Sequence, residues 1–369
     1  MFGTILMVVI TVMQGYVFWR AASLPFVIRR ISRKRLVGIG FAFWAGFVLI
    51  RLAGSDDAGV LGTVLEQLAM GWMASLFLVS VALLAVDVAT GFGFFLRRFM
   101  PRLRAVAFVA GGVLSLIALV QGLRPPVVQD YPVYIAALPE NLDGTVIVAL
   151  SDLHLGAVLG EKWLAARVKQ VQAERPDAVV LLGDVFEGHS APRQELLATL
   201  RQLSAPLGVW GVLGNHESYI ARRNDTALFE EAGVRLLRNA WVELRPGLVL
   251  SGVDDLSSSR DARQAEDFLA AALAARPPGA TVLLSHAPVA AELAVAKGVN
   301  LMLSGHTHGG QIWPFSYLVR QRFLLFEGEY KLGAMTLIVS RGTGTWGPRM
   351  RLWRPAEILR LTLHTGARP

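Results

Sequence analysis

Residues Thr145–His154 read TVIVALSDLH, an apolar run followed at once by Asp152 and His154. A short run rich in valine and isoleucine, with no glycine or proline inside it, predicts a strand that is buried on both faces. The same pattern recurs along the rest of the chain, where short apolar runs alternate with amphipathic helical stretches. This alternation predicts an α/β layered domain whose chemistry lies at the carboxyl ends of its strands.

Four more apolar runs are each followed within a few residues by polar side chains of the kinds that bind metal ions. The five segments are, in chain order, Asp152–His154, Gly183–Asp184, Gly214–Glu217, His286 and Gly305–His308. Five of the seven histidines lie in these segments, which a random scatter would not produce. Carboxylate, amide and imidazole groups together favour borderline divalent ions such as Mn, Fe or Zn. The sequence therefore predicts a metal site where these loops meet.

The five ordered segments resemble the motif blocks of the calcineurin-like metallophosphoesterase family, over about residues 145–363. Gly309–Gln311 and the later Ser340–Gly342 resemble the bacterial, membrane-associated subgroup, some of whose members are reported to act on lipid-linked phosphate or pyrophosphate. The resemblance implies two mixed β-sheets sandwiched between helices. It also implies hydrolysis of a phosphate ester or a pyrophosphate at a dinuclear metal centre.

The resemblance further implies a role for each matching residue. Seven would bind two divalent ions: Asp152, His154 and His308 one ion, Asn215, His286 and His306 the other, with Asp184 bridging both. His216 would lie beside the substrate phosphate as a proton donor or a charge stabiliser. A second aspartate is common three residues after the motif aspartate, and Glu187 holds that place here. Two such ions clamp the attacking and leaving oxygens and make a bridging water acidic, so we expect a hydroxide to attack phosphorus. Manganese is the expected metal, with iron or zinc as alternatives.

Two further residues are candidates for contacts with the substrate. Arg341 lies between a predicted strand and Gly342, where it either binds phosphate or is an ordinary solvated arginine. His189 lies five residues after Asp184, where it is either a structural histidine or a group on the substrate side.

The first third of the chain is too apolar for a soluble protein. The whole sequence is 17% charged, whereas soluble domains carry roughly 25%. Four apolar runs approach the roughly 20 residues needed to cross a bilayer: Phe2–Trp19, Leu36–Leu52, Val64–Val86 and Ala105–Leu123. Helices of a soluble bundle would each have a polar face. These four runs have almost none. We therefore expect a four-helix transmembrane region in residues 1–123, a linker in 124–144 and the catalytic domain in 145–369.

The connections between these runs differ in charge. The first carries six basic residues and the third carries four, whereas the second, Ala53–Gly62, carries none. Basic connections stay in the cytoplasm. The sequence therefore predicts a multi-pass protein of the cell membrane whose catalytic domain is extracytoplasmic.

The segment Ile312–Phe326 directly follows the last metal-binding segment and is rich in aromatic and aliphatic residues, with Arg320 and Arg322 among them. It is either a core hairpin or an interfacial element, because aromatic and basic residues favour the headgroup region. In the second case, membrane lipids and a lipid-linked phosphorylated substrate are the expected partners.

Other classes of function are alternatives. A phosphodiesterase acting on nucleotides or nucleic acid needs a basic surface, but residues 124–369 hold 25 Lys and Arg against 24 Asp and Glu, so we expect no nucleic-acid partner. A non-catalytic membrane scaffold would have lost metal ligands, and all seven ligand positions are filled. Transport would call for charged groups in the middle of the spans, which the runs do not show. The chain has no cysteine, which excludes disulfides and thiolate metal sites.

Overall fold

The computed structural model describes residues 2–53, 59–156, 158–187, 194–220, 225–258 and 262–367. The chain divides into two compact units. The first is Met1–Leu123 with Gly347–Leu352, and the second is Arg124–Trp346 with Trp353–Pro369. Each unit has a hydrophobic core of its own.

The first unit is built of helices that are apolar on all sides. They are α1 (Phe2–Ala21), α2 (Pro25–Ile28), α3 (Arg33–Ala53), α4 (Gly59–Ala89) and α5 (Met100–Leu123). Ile10 and Leu76 lie in the core between the helices, whereas Val12, Leu68 and Leu116 are exposed on the outside. Helices with apolar side chains on both their inner and outer faces fit a bundle that is surrounded by lipid.

Within the described residues, three helices are long and apolar enough to cross a membrane: Thr4–Ala21, Gly59–Ala89 and Arg97–Leu123. The expectation of four spans is therefore corrected to three candidates. The run Leu36–Leu52 does form a helix, since it lies within the 21 residues of α3. α3 begins with three consecutive basic residues, Arg33–Arg35, and it is not among the three candidate spans.

The second unit contains, among its described residues, two mixed sheets of six strands each. The strands are β1 (Val127–Ile135), β2 (Thr145–Leu150), β3 (Ala178–Leu182), β4 (Val209–Val212), β5 (Arg235–Leu236), β6 (Ala240–Arg245), β7 (Leu248–Gly252), β8 (Ala280–Leu284), β9 (Leu301–Ser304), β10 (Gly328–Leu332), β11 (Met335–Val339) and β12 (Glu357–Thr365). Their order is β1-β12-β2-β3-β4-β5 in one sheet and β10-β11-β9-β8-β7-β6 in the other. The helices are α6 (Glu161–Ala173), α7 (Gln194–Leu200), α8 (Asn215–Ile220), α9 (Asp225–Glu231), α10 (Ala262–Leu273), α11 (Ala291–Ala296) and α12 (Ser316–Arg322).

The two sheets pack face to face, and helices cover their outer faces. Along β2, Ile147 and Ala149 lie in the core between the sheets, while Val148 and Leu150 lie in the core beneath α6 and α7. This alternation is the period of two that a strand imposes on its side chains. The expected α/β domain with two mixed sheets between helices is confirmed.

Residues 124–144, which the sequence predicted to be a linker, belong to the fold. They include β1, which pairs in parallel with β12 from Val127 to Ile135. β1 is an edge strand with few buried residues, and it contains Pro132. Proline is tolerated at sheet edges, but such a strand lacks the continuous apolar signal that identified the central strands.

Strand direction decides where the motif segments lie. β2, β3 and β4 are parallel in one sheet, and β7, β8, β9 and β11 are parallel in the other. The carboxyl ends of each parallel set therefore open at one edge of their sheet. The loops that leave β2, β3, β4, β8 and β9 at these edges carry the five motif segments.

Candidate metal centre

The first cluster of buried side chains consists of Asp152, His154 and His308, whose ligand atoms lie within 4.8 Å of one another. Nε2 of His154 lies 3.1 Å from Nε2 of His308, which in turn lies 3.4 Å from Oδ1 of Asp152. Ligands held about 2.0–2.2 Å from one ion are themselves about 3 Å apart. The spacing of these three groups fits a divalent cation.

The second cluster consists of Asp184, His286 and His306. Nε2 of His286 lies 3.2 Å from Nδ1 of His306 and 3.3 Å from Oδ2 of Asp184. Asn215 joins this cluster, because its Oδ1 lies 3.1 Å from Nε2 of His286. The cluster thus offers two imidazoles, a carboxylate and an amide oxygen, a set suited to the same borderline ions.

Asp184 lies between the two clusters. Its Oδ2 is 3.9 Å from Nε2 of His154 on one side and 3.3 Å from Nε2 of His286 on the other. Burial acts to raise the pKa of Asp184, but the charge of His286 and a hydrogen bond with it lower that pKa far below its usual range. The structure therefore brings all seven predicted ligand residues together around one ionised carboxylate.

Two glycines of the motif segments are required by this close packing. A Cβ on Gly214 would lie 2.1 Å from Oδ1 of Asp184, and one on Gly305 would lie 1.7 Å from Oγ of Ser151 and 2.5 Å from Oδ2 of Asp152. No side chain fits at such distances. The backbone of one loop can approach the carboxylate of another only because these positions are glycine.

Hydrogen bonds on the far side of the rings orient the imidazoles. Nδ1 of His286 lies 2.7 Å from the carbonyl oxygen of Leu182, to which it donates when Nε2 is the ligand atom. Burial lowers the pKa of His306, and neighbouring His286 lowers it further. A partner such as the Leu182 carbonyl fixes the tautomer and direction of a metal-binding ring, and the lowered pKa of His306 favours the neutral form that binds a metal ion.

Glu187 contacts two rings of the centre with one carboxylate oxygen. Oε2 of Glu187 lies 2.5 Å from Nδ1 of His154 and 3.0 Å from Nδ1 of His216. Burial would raise the pKa of Glu187, but the hydrogen bonds with these histidines lower it to about 2. In the sequence Glu187 lies three residues after Asp184, but that spacing does not predict its contact with two rings.

His216 lies beside the centre, edge-on to His154 with the ring centroids 4.7 Å apart. Its backbone N–H donates to Oδ1 of Asp184 at 2.8 Å, and its Nε2 lies 3.9 Å from Oδ2 of the same carboxylate. Burial lowers the pKa of His216, but the hydrogen bond with Glu187 and the charge of Asp184 outweigh this and raise it to about 9. These contacts favour the protonated form of His216, which can donate a proton.

Glu217 is a second residue whose role the sequence left open. Its buried carboxylate accepts hydrogen bonds from the backbone N–H groups of Asp184, Val185, Phe186 and Gly214, at 2.9, 2.6, 3.1 and 2.7 Å. It therefore ties the loop after β4 to the loop after β3. A glutamate beside a histidine in sequence carries no signal that distinguishes such a tie from a surface acid.

The two candidates for substrate contacts have different outcomes. Nε of Arg341 donates to Oε2 of Glu357 at 3.0 Å, and its backbone N–H donates to Oε1 of Glu357 at 2.8 Å. A Cβ on Gly309 would lie 3.0 Å from Cγ of Arg341, so this residue is next to the last motif segment, with its guanidinium held by Glu357. A phosphate contact of Arg341 stays a prediction. His189 lies outside the described residues.

Comparisons with known proteins point to one family. Residues 145–310 match the family model of the calcineurin-like phosphoesterases. A Bos taurus transmembrane protein with a metallophosphoesterase domain is 34% identical over 274 residues, which cover 70% of this chain and 62% of that protein. A metallophosphoesterase of Aquifex aeolicus is 34% identical over 241 residues, covering 64% of this chain and 91% of that protein. One of Campylobacter jejuni is 34% identical over 244 residues, covering 65% and 64%. The chain thus spans less than two thirds of the Bos taurus and Campylobacter jejuni proteins.

Proposed function

The chain belongs to the calcineurin-like metallophosphoesterase family, and on that premise we propose that it is a membrane-anchored phosphoesterase with a dinuclear metal centre. The observation that carries this proposal is the position of Asp184, a buried carboxylate shared by two clusters of ligand atoms. The ions are divalent. The mixture of oxygen and imidazole ligands favours manganese, with iron or zinc as alternatives.

Each group of the centre then has a task in hydrolysis. When bound, the ions stabilise charge on the phosphoryl oxygens and lower the pKa of water. Seven residues would hold them: Asp152, His154 and His308 one ion, Asn215, His286 and His306 the other, and Asp184 both. His216 donates a proton to the leaving oxygen, and Glu187 holds its ring in place from Nδ1.

Metal removal tests the proposed function. We expect the full-length protein to contain two divalent ions per chain and to hydrolyse 4-nitrophenyl phosphate or bis(4-nitrophenyl) phosphate. Chelation should abolish turnover, and Mn²⁺ should restore it, because the seven proposed ligand residues contribute to hydrolysis only through the ions that they bind. Elemental analysis and release of 4-nitrophenol are the measurements. A protein that holds two ions and hydrolyses neither ester would contradict the proposal.

For the substrate, we propose a phosphate or pyrophosphate that carries a lipid chain. The support comes from Ile312–Phe326, which forms α12 and its flanking loops rather than a core hairpin. Oγ1 of Thr307 donates to the carbonyl of Phe326 at 2.7 Å, and a Cβ on Gly310 would lie 2.3 Å from Cα of Ser316. Both ends of the segment are therefore fastened to the loop that carries His306 and His308.

This fastened segment exposes a set of large apolar side chains, which we call the apolar ledge: Trp313, Phe315, Tyr317, Leu318 and Leu324. Leu324 is 85% exposed. The ring of neighbouring Phe323 lies 5.1 Å from the ring of His306, so the ledge begins at the metal centre. Arg320 and Arg322 are exposed on the same helix, where they suit anionic headgroups.

Substitution of the ledge tests its role. We expect Trp313, Phe315 and Leu324, all replaced by serine, to lower the catalytic efficiency on a long-chain prenyl phosphate by roughly tenfold or more, since each buried CH₂ contributes about 0.8 kcal/mol. Hydrolysis of a short-chain analogue should be unchanged. The measurement is kcat/KM on both esters with the full-length protein in nanodiscs.

A matched control for the ledge is Val127→Ser, which replaces an exposed apolar residue of the edge strand β1. Phe323 is left intact, because it packs against His306. If the long and short esters respond alike to the triple change, the ledge does not receive a lipid chain.

For orientation, we propose that the catalytic unit lies on the extracytoplasmic side. α5 leads into this unit at Arg124, so the direction of α5 decides the side on which the unit begins, whichever of the earlier helices span. The connection before α5 carries Arg97 and Arg98, and α5 itself carries Arg102 and Arg104 near its start. Basic residues at the end of a span favour the cytoplasm, which places the far end of α5 outside.

Reporter fusions test the orientation. A C-terminal alkaline phosphatase should be active, and a C-terminal green fluorescent protein should be dark, because the first folds only outside the cytoplasm and the second only inside. Replacing Arg97, Arg98 and Arg102 with alanine should weaken this preference. Fluorescence without phosphatase activity in the unaltered chain would show that the catalytic unit is cytoplasmic.

A further inference from the structure

Trp346 lies at the side of the metal centre where His216 is found. The centroids of the two rings are 6.2 Å apart and the planes are inclined at 74°. The indole is 37% exposed although the residue follows a well-packed segment. A large aromatic ring that stays open to solvent beside a proposed proton donor is a candidate for contact with the substrate.

Backbone contacts fix the segment that leads to Trp346. The N–H of Thr343 donates to the carbonyl of Ser151 at 2.7 Å, and the N–H of Gly344 donates to the carbonyl of Asp152 at 3.0 Å. The segment therefore runs along the first metal-binding loop. It leaves that loop at Trp346.

Gln311 then holds Trp346 itself. Nε2 of Gln311 donates to the carbonyl of Trp346 at 3.1 Å, and the N–H of Trp346 donates to Oε1 of Gln311 at 3.0 Å. Gln311 is buried and lies three residues after His308, on the last metal-binding loop. A side-chain amide offers a donor and an acceptor side by side, which matches the carbonyl and the N–H of one residue.

The backbone of Gln311 supports the same conclusion. Its φ of 44° is in the left-handed region, which costs free energy for a residue other than glycine. The two preceding residues, Gly309 and Gly310, adopt such angles without this cost. A glutamine at this position therefore indicates that its amide is needed, and the amide binds Trp346.

We infer that Trp346, positioned by Gln311, forms a wall of the subsite for the leaving group and favours an apolar or aromatic group on the ester oxygen. His216 and Trp346 then face the same part of the substrate, one as proton donor and the other as a packing surface. This inference rests on the proposed phosphoesterase function, because the subsite is defined by the leaving group.

Binding of two phosphonates tests the inference without turnover. Phenylphosphonate and methylphosphonate present the same phosphoryl group, with a ring or a methyl in the place of the leaving group. We expect calorimetry on the full-length, Mn²⁺-loaded protein in nanodiscs to show tighter binding of phenylphosphonate. Trp346→Ala should weaken the binding of phenylphosphonate by roughly 3- to 10-fold, the range expected for one aromatic contact. The affinity for methylphosphonate should be unchanged.

Further variants separate positioning from general packing. Gln311→Ala should act in the same direction as Trp346→Ala without loss of metal, whereas Trp346→Phe should keep most of the preference. Trp353→Ala, at an indole that is 52% exposed, is the matched control and should change nothing. Equal weakening of both phosphonates in Trp346→Ala, or no preference in the unaltered protein, would overturn the inference. A preserved preference in a protein that hydrolyses no ester would instead overturn the proposed function.

Discussion

Asp184→Asn is expected to reduce hydrolysis of an aryl phosphate by roughly 10³-fold or more, because a two-ion clamp contributes several kcal/mol and each 1.4 kcal/mol is a factor of ten in rate. Asp184 is the carboxylate that both clusters share, and an amide cannot supply the second anionic oxygen. We therefore also expect the metal content to fall below two ions per chain. His306→Ala should act in the same direction by removing a ligand of the second cluster. Turnover and elemental analysis are the measurements.

The fold must survive this change for the result to be informative. Asp254→Asn is the matched control, since this carboxylate pairs with Nε of Arg238 at 2.9 Å and belongs to neither cluster. It should keep full turnover and both ions. Circular dichroism should show unchanged secondary structure in all variants. Near-normal turnover of Asp184→Asn with two ions bound would refute the assignment of the bridging carboxylate.

The sequence predicted the ligand set because the fold makes local patterns converge. Asp152 and His306 are 154 positions apart, yet each follows a parallel strand whose carboxyl end opens at the same edge of its sheet. Buried parallel strands carry a continuous apolar signal, and the polar residues after them are therefore conspicuous. The order of the segments then indicated the family, which the comparisons show.

Other features of the fold and the site could not be predicted from the sequence, because they depend on contacts between distant parts of the chain. β1 is recognisable as a strand only through its pairing with β12, more than 200 positions later. Glu187 is a glutamate in a loop until the structure shows one of its oxygens between His154 and His216. For Ile312–Phe326, composition alone left a core hairpin and an exposed element equally open. Leu324 and Phe326 are both apolar, yet the first is exposed and the second is buried, and only the structure shows this difference.

His216→Ala is the remaining large effect, and we expect it to lower turnover by roughly 10²- to 10⁴-fold, the usual contribution of a positioned acid or base. Its Nε2 is within reach of the centre, and its Nδ1 is held by Glu187 at 3.0 Å. The loss should be largest for an alkyl ester and smaller for a 4-nitrophenyl ester, because 4-nitrophenolate leaves without a proton. Steady-state kinetics on both esters is the measurement.

Metal content decides between this role and a structural one. His216 forms a third close group with His154 and Asp184, so a contribution to metal binding is geometrically open to it. If His216 is the proton donor, the alanine variant keeps both ions and loses turnover. Glu187→Ala should lower turnover by itself. When it is added to His216→Ala, the part of its effect that passes through His216 should vanish, and only the part that passes through the ring of His154 should remain. If His216→Ala instead loses an ion and slows hydrolysis of both esters equally, His216 is a metal ligand. The prediction that it protonates the leaving group would then be wrong.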